Sequence, residues 1–173
     1  VKKLDLKKID LIFLSLPNGE AQKFIIKNYF KNTHIKYIDL SADFRISNIK
    51  IYENNYKIKH KAKKIIKDSI YLIPELYKKI NKNIRIISNP GCYPTSIQLP
   101  LVPIIKDNLI KINDITIDSK SGYSGAGKNL KKKFTHKNLY SSIYAYNTKH
   151  HRHVCEIDQE LLKLTKKKNK IFF

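Results

Sequence analysis

The chain has 173 residues, of which 42% are hydrophobic, and it carries a formal net charge of +21 with a pI of about 9.9. This length and apolar content suit one or two globular domains, and no apolar run approaches the roughly 20 residues that a membrane-spanning helix needs. No signal peptide is visible, and two cysteines 63 positions apart argue against a disulfide framework, which favours a reducing cytoplasm.

Lysine supplies almost all of the positive charge, because only Arg45, Arg85 and Arg152 are arginines among the 35 basic residues. Guanidinium groups make the bidentate contacts that phosphates and bases favour, so a lysine excess is a weak indication of nucleic-acid binding. Two interpretations are open, namely solvated lysines that follow from AT-rich coding or a surface for a polyanionic partner. The first is favoured, since the Lys, Ile, Asn, Tyr and Phe that such coding produces crowd this chain.

The first predicted elements form a strand, a helix and a second strand. The run IDLIFLSLPNG (9–19) predicts a strand buried on both faces that enters a loop at its carboxyl end. EAQKFIIKNYF (20–30) places apolar residues on one helical stripe, and IKYIDLSADFR (35–45) predicts a strand followed by a polar loop. This order predicts a parallel βαβ unit.

The middle of the chain gives a weaker pattern. Residues 46–83 are rich in lysine, and only IYLIPEL (70–76) indicates a short strand or turn. NIRIIS (83–88) predicts another strand, and NPGCYPTS is the loop that leaves it.

After that loop, predicted helices and strands alternate again. A helix is predicted from Thr95 to about Lys106, perturbed by two internal prolines. INDITIDSKSG (112–122) predicts a strand, and EIDQELLKLTKKK (156–168) predicts an amphipathic helix. The alternation of strands and helices indicates an α/β protein.

Cys92 is the candidate nucleophile, in the stretch SNPGCYPTS. A cysteine at a strand-to-helix turn lies near the first free N–H groups of the helix, which stabilise a thiolate and can donate to an oxyanion. Gly91 is expected to permit the backbone angles of a sharp turn, and Pro90 and Pro94 to stiffen it. The alternative is a buried, inert cysteine in an ordinary turn.

The glycines are confined to three loops that each follow a predicted strand. These loops hold Gly19, then Gly91, then the group Gly122, Gly125 and Gly127 in SGYSGAG. Loops at the carboxyl ends of parallel strands are where α/β proteins bind ligands, and SGYSGAG would let the backbone approach a nucleotide or phosphate closely.

HHRHVCEI (150–157) is the candidate acid–base segment, because imidazole transfers protons near neutral pH and a thiolate nucleophile usually has such a partner. Two alternatives remain. In a strand, His151, His153 and Cys155 would share a face and could bind a soft metal, but a convincing fourth ligand is missing, so no metal is expected. A solvated loop is the other alternative.

Taken together, SLPNGEAQ, IDLSADFR, SNPGCYPTS, SKSGYSGAG and HRHVCEIDQEL resemble the N-acetyl-gamma-glutamyl-phosphate reductase family, in the same order and spacing. The wider superfamily includes aspartate-semialdehyde dehydrogenase and, more distantly, glyceraldehyde-3-phosphate dehydrogenase. The resemblance implies the C-terminal part of a Rossmann-type parallel sheet (residues 1–91), joined to the first part of an α+β catalytic and dimerisation domain (residues 92–173).

Roles for individual residues follow from the same resemblance. Cys92 matches the nucleophile, and His151 is favoured as the acid–base, with His153 as alternate or substrate ligand. Substrate binding is implied for Arg45, whose alternative is a structural salt bridge, and for Tyr146 and Glu156. Contact with the cofactor is implied for the loops that contain Ser15, Pro17, Gly19, Ser121, Gly122, Gly125, Ala126 and Gly127.

The implied activity is an NADPH-dependent reduction of N-acetyl-glutamyl 5-phosphate to the semialdehyde, through a cysteine thioester, in arginine biosynthesis. The implied cofactor is NADP, and the implied partner is a small-molecule substrate in a cytoplasmic homo-oligomer. Neither a membrane nor a nucleic acid is an expected partner, although a basic nucleic-acid-binding module remains the third interpretation.

Several features depart from the family pattern. Cys155 stands where the family has proline, and the Gly-rich dinucleotide fingerprint of the first strand is missing. The chain contains no methionine and ends on KIFF, which resembles a strand just beginning, so we expect both ends to be cuts. We therefore expect an internal fragment that is inactive alone, and the competing interpretation is a truncated, non-catalytic remnant.

Overall fold

A computed structural model describes residues 5–76, 79–126, 142–143, 145–148, 150–166 and 171–172. The strands are β1 (Leu11–Leu14), β2 (Lys36–Asp39), β3 (Ser69–Tyr71), β4 (Ile86–Ser88), β5 (Ile115–Thr116) and β6 (Ile171–Phe172). The helices are α1 (Glu20–Asn28), α2 (Ile49–Tyr56), α3 (Cys92–Lys106) and α4 (Val154–Thr165).

Four strands form one parallel sheet in the order β1-β2-β4-β3. The chain crosses over between neighbours, so helices and loops connect strands that all point the same way. β5 and β6 form a second, two-stranded parallel sheet. The predicted α/β class is confirmed, and the short β6 lies in the KIFF segment.

The predicted βαβ unit is present as β1, α1 and β2. Ala21 and Ile25 of α1 are fully buried and pack with Leu14 of β1 and Tyr37 of β2 in the larger hydrophobic core. This packing stabilises a helix of only nine residues, which would be marginal by itself in water.

β1 differs from its prediction, because it is not buried on both faces. Ile12 and Leu14 face the core, whereas Leu11 and Phe13 point the other way and are 44% and 62% exposed. β1 is one of the two edge strands of the described sheet, and its second face is more exposed than that of the inner strands, where Ile38 and Ile87 are half-buried.

α2 is an element that the sequence did not predict. Its N-cap residue, Asn48, accepts hydrogen bonds from the backbone N–H groups of Lys50 and Ile51 at 3.0 and 3.3 Å. Tyr52 at its centre is fully buried. An Asn before an apolar residue is a recognised helix start, but the surrounding lysines obscured the apolar stripe.

α3 begins at Cys92, three residues before the predicted start at Thr95, and it continues through Pro100 and Pro103. Pro94 lies in the first turn, where a backbone N–H has no intrahelical acceptor, so it costs no hydrogen bond. The two later prolines each remove one, and the contact of α3 with α4 through Ile97, Ile105, Ile157 and Leu161 offsets that loss.

Arg85 joins the end of α1 to the start of β2. Its guanidinium donates to the carbonyl oxygens of Tyr29, Asn32 and Ile35 at 3.0, 2.7 and 3.1 Å. The same group lies 4.1 Å from the centre of the Tyr29 ring. One side chain thereby holds the connection between α1 and β2 through three carbonyl groups and one aromatic ring.

Within the described parts of the chain, none of the helices has the length and apolar composition needed to cross a bilayer.

Candidate active site

The turn after β4 brings Cys92 to the surface. β4 ends at Ser88, and Cys92 is the first residue of α3, with Gly91 as its N-cap. Because Gly91 has no side chain, no cap hydrogen bond is made from this position to the first N–H groups of α3. Cys92, which begins the helix, is exposed beside these groups. These groups and the helix dipole stabilise negative charge, as a thiolate or an oxyanion requires.

Gly91 is required because neighbouring side chains leave no room for a Cβ atom, and not because of its backbone angles. Its φ of −66° and ψ of 161° are extended values that any residue adopts, so the expectation of special turn angles is wrong. A Cβ atom at this position would lie 2.8 Å from Nε2 of His153 and 3.0 Å from Nη1 of Arg45. The absent side chain makes room for an imidazole and a guanidinium against the turn.

His151 and His153 lie together directly before α4, with their ring centres 4.9 Å apart. Each side chain is only 7% exposed. Nδ1 of His151 accepts a hydrogen bond from the backbone N–H of His153 at 3.2 Å, which puts the proton of a neutral ring on Nε2. Nδ1 of His153 is buried and has no hydrogen-bond partner among the described residues.

Both imidazoles are held in the neutral form. Burial lowers the pKa of His153 to about 3, with further lowering by His151, Arg45 and Arg152. Burial also lowers the pKa of His151, assisted by the charges of Arg152 and His150. A neutral imidazole can accept a proton, which is what a thiol nucleophile needs from its base.

Two tyrosines connect the histidines to the glycine-rich loop. The Tyr93 ring lies 5.5 Å from that of His151, and the Tyr93 hydroxyl donates to Ser121 Oγ at 2.7 Å. The half-exposed ring of Tyr146 lies 5.7 Å from His151. Burial and a hydrogen bond to Tyr93 raise the pKa of Tyr146 to about 12, and the Cys92 charge contributes to the rise. Cys92, His151, Tyr146 and Ser121 therefore share one site.

Arg45 lies behind the cysteine turn and is only 8% exposed. Its Nε donates to Asn89 O at 2.8 Å, its Nη2 to Leu40 O at 2.9 Å and its Nη1 to Glu156 Oε1 at 3.1 Å. Burial alone would lower the pKa of Arg45, but Glu156, Tyr56 and Asp39 together outweigh it and raise that pKa. This geometry corresponds to the structural ion pair that was the alternative for Arg45.

Glu156 is fully buried near the start of α4. Its Oε1 also accepts from the Tyr56 hydroxyl at 2.9 Å, and its Oε2 accepts from the Tyr71 hydroxyl at 3.3 Å and from the Gly91 N–H at 3.0 Å. The carboxylate expected to bind substrate thus faces four donors of the chain itself.

The loop after β1 holds Ser15, Pro17 and Gly19. Ser15 and Pro17 are exposed at the carboxyl end of β1, which β2 separates from β4. Gly19 has a φ of 89°, a left-handed value that favours glycine. Its N–H, at the start of α1, already donates to the side chain of Asp43.

The glycine-rich loop is exposed at Ser121, Gly122 and Gly125, and residues Tyr123–Ala126 form a short 3-10 helix. The Gly125 N–H donates to Gly122 O at 3.1 Å. A Cβ at Gly122 or Gly125 would meet its nearest neighbour at 3.8 or 3.9 Å, an ordinary contact, so neither glycine is required by close packing. Gly127 lies outside the described residues.

Sequence reasoning did not single out Tyr93, Tyr56, Tyr71 or Asp43, all of which contact predicted site residues. Tyr93 has a signal, since it directly follows the nucleophile in SNPGCYPTS. The other three act through pairings distant in sequence, which periodicity does not reveal. Among the described residues, no group of His, Cys, Asp or Glu side chains is arranged to hold a metal ion.

Two family models match the sequence of this chain. One, described as "Semialdehyde dehydrogenase, NAD binding domain", matches residues 1–84. The other, "Semialdehyde dehydrogenase, dimerisation domain", matches residues 92–173. Since the two leave out only residues 85–91, the chain belongs to the semialdehyde dehydrogenase family.

Curated relatives carry a more particular name. The chain is 43% identical over 173 residues to a probable N-acetyl-gamma-glutamyl-phosphate reductase, chloroplastic, of Oryza sativa, and 44% identical to that of Arabidopsis thaliana; it covers 41% and 42% of these proteins. It is 43% identical over 171 residues to the N-acetyl-gamma-glutamyl-phosphate reductase of Clostridium novyi, and covers 49% of it. These names confirm the resemblance that the motifs indicated. The chain spans less than half the length of these relatives.

Proposed function

We propose that this chain carries the nucleophile and the acid–base residues of an enzyme that reduces N-acetyl-glutamyl 5-phosphate to the semialdehyde with release of phosphate. The observation that supports it most is the exposed Cys92 at the start of α3, on a turn packed against the neutral His153. The names of the relatives support the substrate, and the implied pathway is arginine biosynthesis.

Cys92 performs the covalent step. Its thiolate attacks the carbonyl carbon of the acyl phosphate, the bond from that carbon to the phosphate oxygen breaks, and phosphate leaves behind a thioester. The free N–H groups of α3 are oriented to stabilise the negative oxygen that forms during the attack.

His151 moves the protons. Its neutral ring accepts the thiol proton of Cys92 and gives it to the leaving phosphate. In the second half of the reaction, once the thioester carbon has been reduced, its oxygen re-forms the carbonyl as the carbon–sulfur bond breaks and the bonding electron pair returns to sulfur. The aldehyde leaves, and His151 passes a proton from solvent to the thiolate. His153, packed against Gly91, is assigned to substrate or to the same role as an alternate.

The residues present fit the nicotinamide end of a dinucleotide. The loop from Ser121 to Gly125 is exposed at both of its glycines and contacts Tyr93, the neighbour of the nucleophile. Ser15 and Pro17 lie exposed at the carboxyl end of β1. The N-terminus of α1 holds the Asp43 carboxylate, so we assign no cofactor phosphate to it.

When bound there, NADPH would supply the hydride that reduces the thioester. The match to an NAD-binding domain supports a nicotinamide cofactor, and NADP is the form that the family resemblance implies. Ser121 orients the Tyr93 hydroxyl toward this loop. Tyr146, half-exposed beside His151, is assigned to the substrate.

The match of residues 92–173 to a dimerisation domain supports a homo-oligomer. Two unpaired cysteines support a reducing compartment, for which we propose the cytoplasm. Light scattering coupled to size exclusion tests the first assignment, and a monomer at micromolar concentration would contradict it.

Acylation of Cys92 tests the proposed chemistry without a cofactor. The chain is incubated with N-acetyl-glutamyl 5-phosphate, and peptides are mapped by mass spectrometry. We expect one hydroxylamine-sensitive acyl group on Cys92 and release of phosphate. The Cys155→Ser chain is the matched control and keeps the adduct, whereas Cys92→Ser loses it. An unmodified Cys92 would contradict the proposal.

A further inference from the structure

One buried carboxylate, that of Glu156, connects four separate segments of the chain. Its donors come from the loop after β2 (Arg45), the end of α2 (Tyr56), β3 (Tyr71) and the turn after β4 (Gly91). Each carboxylate oxygen accepts two hydrogen bonds, and the side chain is fully buried. The carboxylate itself does not reach solvent, so Glu156 acts on its neighbours and not on a ligand.

The cysteine turn is held from both sides by Glu156 and its partner Arg45. Glu156 Oε2 accepts from the N–H of Gly91, and Arg45 Nε donates to the carbonyl of Asn89, two residues earlier. The ion pair between Nη1 and Oε1, at 3.1 Å, connects the two contacts. The peptide groups directly before Cys92 are therefore tied to α4 through one ion pair.

Stability alone does not explain this arrangement. A buried ion pair gains little net free energy over well-packed apolar residues, because both charges lose their hydration. It does impose a geometry, since an acceptor with two oxygens and a planar donor fit in few orientations. The geometry imposed here is that of the residues leading into α3.

We propose that Glu156 is a positioning residue for Cys92, because its carboxylate fixes the Gly91 peptide and the Arg45 guanidinium and thereby sets where the thiol lies relative to the first N–H groups of α3. The inference rests on the proposed function only in taking Cys92 as the reacting group. It concerns the reactivity of the thiol toward any electrophile.

Glu156→Asp separates position from charge. Aspartate keeps the negative charge, but its side chain is one methylene shorter and cannot reach both Gly91 and Arg45. We expect Cys92 to be alkylated by iodoacetamide at pH 7 at least about fivefold more slowly, the loss that one net hydrogen bond represents. Hydrogen exchange of the Gly91 amide should accelerate about tenfold or more.

Two variants on the same helix serve as controls. Glu160→Asp shortens a carboxylate one turn away that binds Lys163, and Ile157→Val removes one methyl group from the core between α3 and α4. Both leave in place the hydrogen bonds that Glu156 and Arg45 make to Gly91 and Asn89, so the alkylation rate should stay within about twofold of the unsubstituted chain, although Ile157→Val loses stability. Arg45→Lys removes the contact to Asn89 O and should slow the alkylation of Cys92 as Glu156→Asp does. If Glu156→Asp does not fold, Arg45→Lys tests the positioning role instead.

Unchanged alkylation in Glu156→Asp, or equal slowing in Ile157→Val, would overturn the positioning role. Faster exchange of the Gly91 amide with unchanged alkylation would also overturn it, because the contact would then have no effect on the thiol. Failure of the acylation test with N-acetyl-glutamyl 5-phosphate would contradict the proposed function. The alkylation and exchange measurements would still decide whether Glu156 positions Cys92.

Discussion

The N–H of Gly19 donates to both carboxylate oxygens of Asp43, at 2.7 and 2.8 Å, and this contact closes the N-terminus of α1. The same carboxylate accepts from the Gln22 N–H at 3.1 Å and from the Tyr52 hydroxyl at 2.6 Å. A helix end that would attract an external anion is thereby satisfied within the chain.

Asp43→Ala should therefore lower the free energy of unfolding by about 2–4 kcal/mol, because the helix loses its cap and the buried Tyr52 hydroxyl loses its acceptor. Urea unfolding followed by circular dichroism measures this. Asp5→Ala is the control: Asp5 also caps a turn, by accepting from the Lys7 N–H at 3.2 Å, but in an exposed segment. Its effect should stay below about 0.5 kcal/mol, and equal effects of the two substitutions would refute the assignment.

Gly91→Ala should destabilise the chain by about 1–3 kcal/mol, since the new methyl group overlaps the His153 ring and the Arg45 guanidinium. Gly125→Ala is the matched control, because its methyl group would meet Ser121 Oγ at 3.9 Å, an ordinary contact. Urea unfolding compares the two variants. If Gly91→Ala is as stable as Gly125→Ala, the close packing against the turn is wrong.

Asp39 should make the chain less stable as the pH rises from about 4 to about 6. Burial raises the pKa of Asp39 from 3.8 to about 6, although hydrogen bonds from Ser41 oppose the rise. The folded state therefore holds the proton more tightly, so its advantage is present below the unfolded pKa and is lost as the carboxyl ionises; a shift of two units corresponds to about 3 kcal/mol.

Asp39→Asn tests this, because asparagine does not titrate and its oxygen still accepts from the Ser41 N–H, as Asp39 does at 2.9 Å. The free energy of unfolding is measured at pH 4, 5, 6 and 7. The variant should gain stability relative to the unsubstituted chain between pH 4 and 6. A constant difference across that range would contradict the raised pKa.

His153 gives a pH dependence of the opposite sign. Burial lowers its pKa from 6.5 to about 3, so the folded state excludes the proton, and stability is lost as the pH falls below about 6.5. Each pH unit removes up to about 1.4 kcal/mol. Between pH 4 and 6 this loss opposes the gain from Asp39, so the pH dependence of His153 is partly hidden in the unsubstituted chain.

The His153 effect is visible in the Asp39→Asn background. That variant should lose stability on acidification from pH 6 to 4, and adding His153→Asn should make the loss smaller; burial also lowers the pKa values of His60 and His151, so part of the loss should remain. Both chains are compared by urea unfolding at the same pH values. An unchanged slope without His153 would contradict the lowered pKa of His153.

Iodoacetamide at pH 7 should label Cys92 at least about tenfold faster than Cys155. Burial raises the pKa of Cys155 to about 12, with further raising by Glu156 and Asp158, and its Sγ donates to Arg152 O at 3.0 Å. Cys92 is exposed. Peptide mapping over time measures both rates, and the Cys92→Ser chain should remain almost unlabelled. Preferential labelling of Cys155 in the folded chain would count against Cys92 as nucleophile.

The sequence predicted the elements whose apolar spacing is undisturbed. β1, α1 and β2 follow from residues 9–45, because apolar runs and a helical stripe are clear there. The strand β4 was predicted for the same reason, and the cysteine turn was predicted as the loop that leaves it. α2 was missed, because its short stripe lies among lysines that carry no periodic signal.

The candidate site was predictable in its members and not in their contacts. Cys92 and the two histidines stand out because reactive residues are rare in this chain. That Glu156 would bind Gly91, 65 positions away, depends on how α4 packs against the sheet. Sequence patterns describe one element at a time, so contacts between elements require the fold.

Arg85 occupies a position where lysine could not make the same contacts. A lysine there would bring one ammonium group to three carbonyl oxygens spread over Tyr29, Asn32 and Ile35, and would lose the flat contact with the Tyr29 ring. Arg45 meets the same condition, with three acceptors in three directions. In a chain where lysine supplies almost all of the positive charge, Arg45 and Arg85 therefore mark two places where the fold depends on the shape of the cation and not only on its charge.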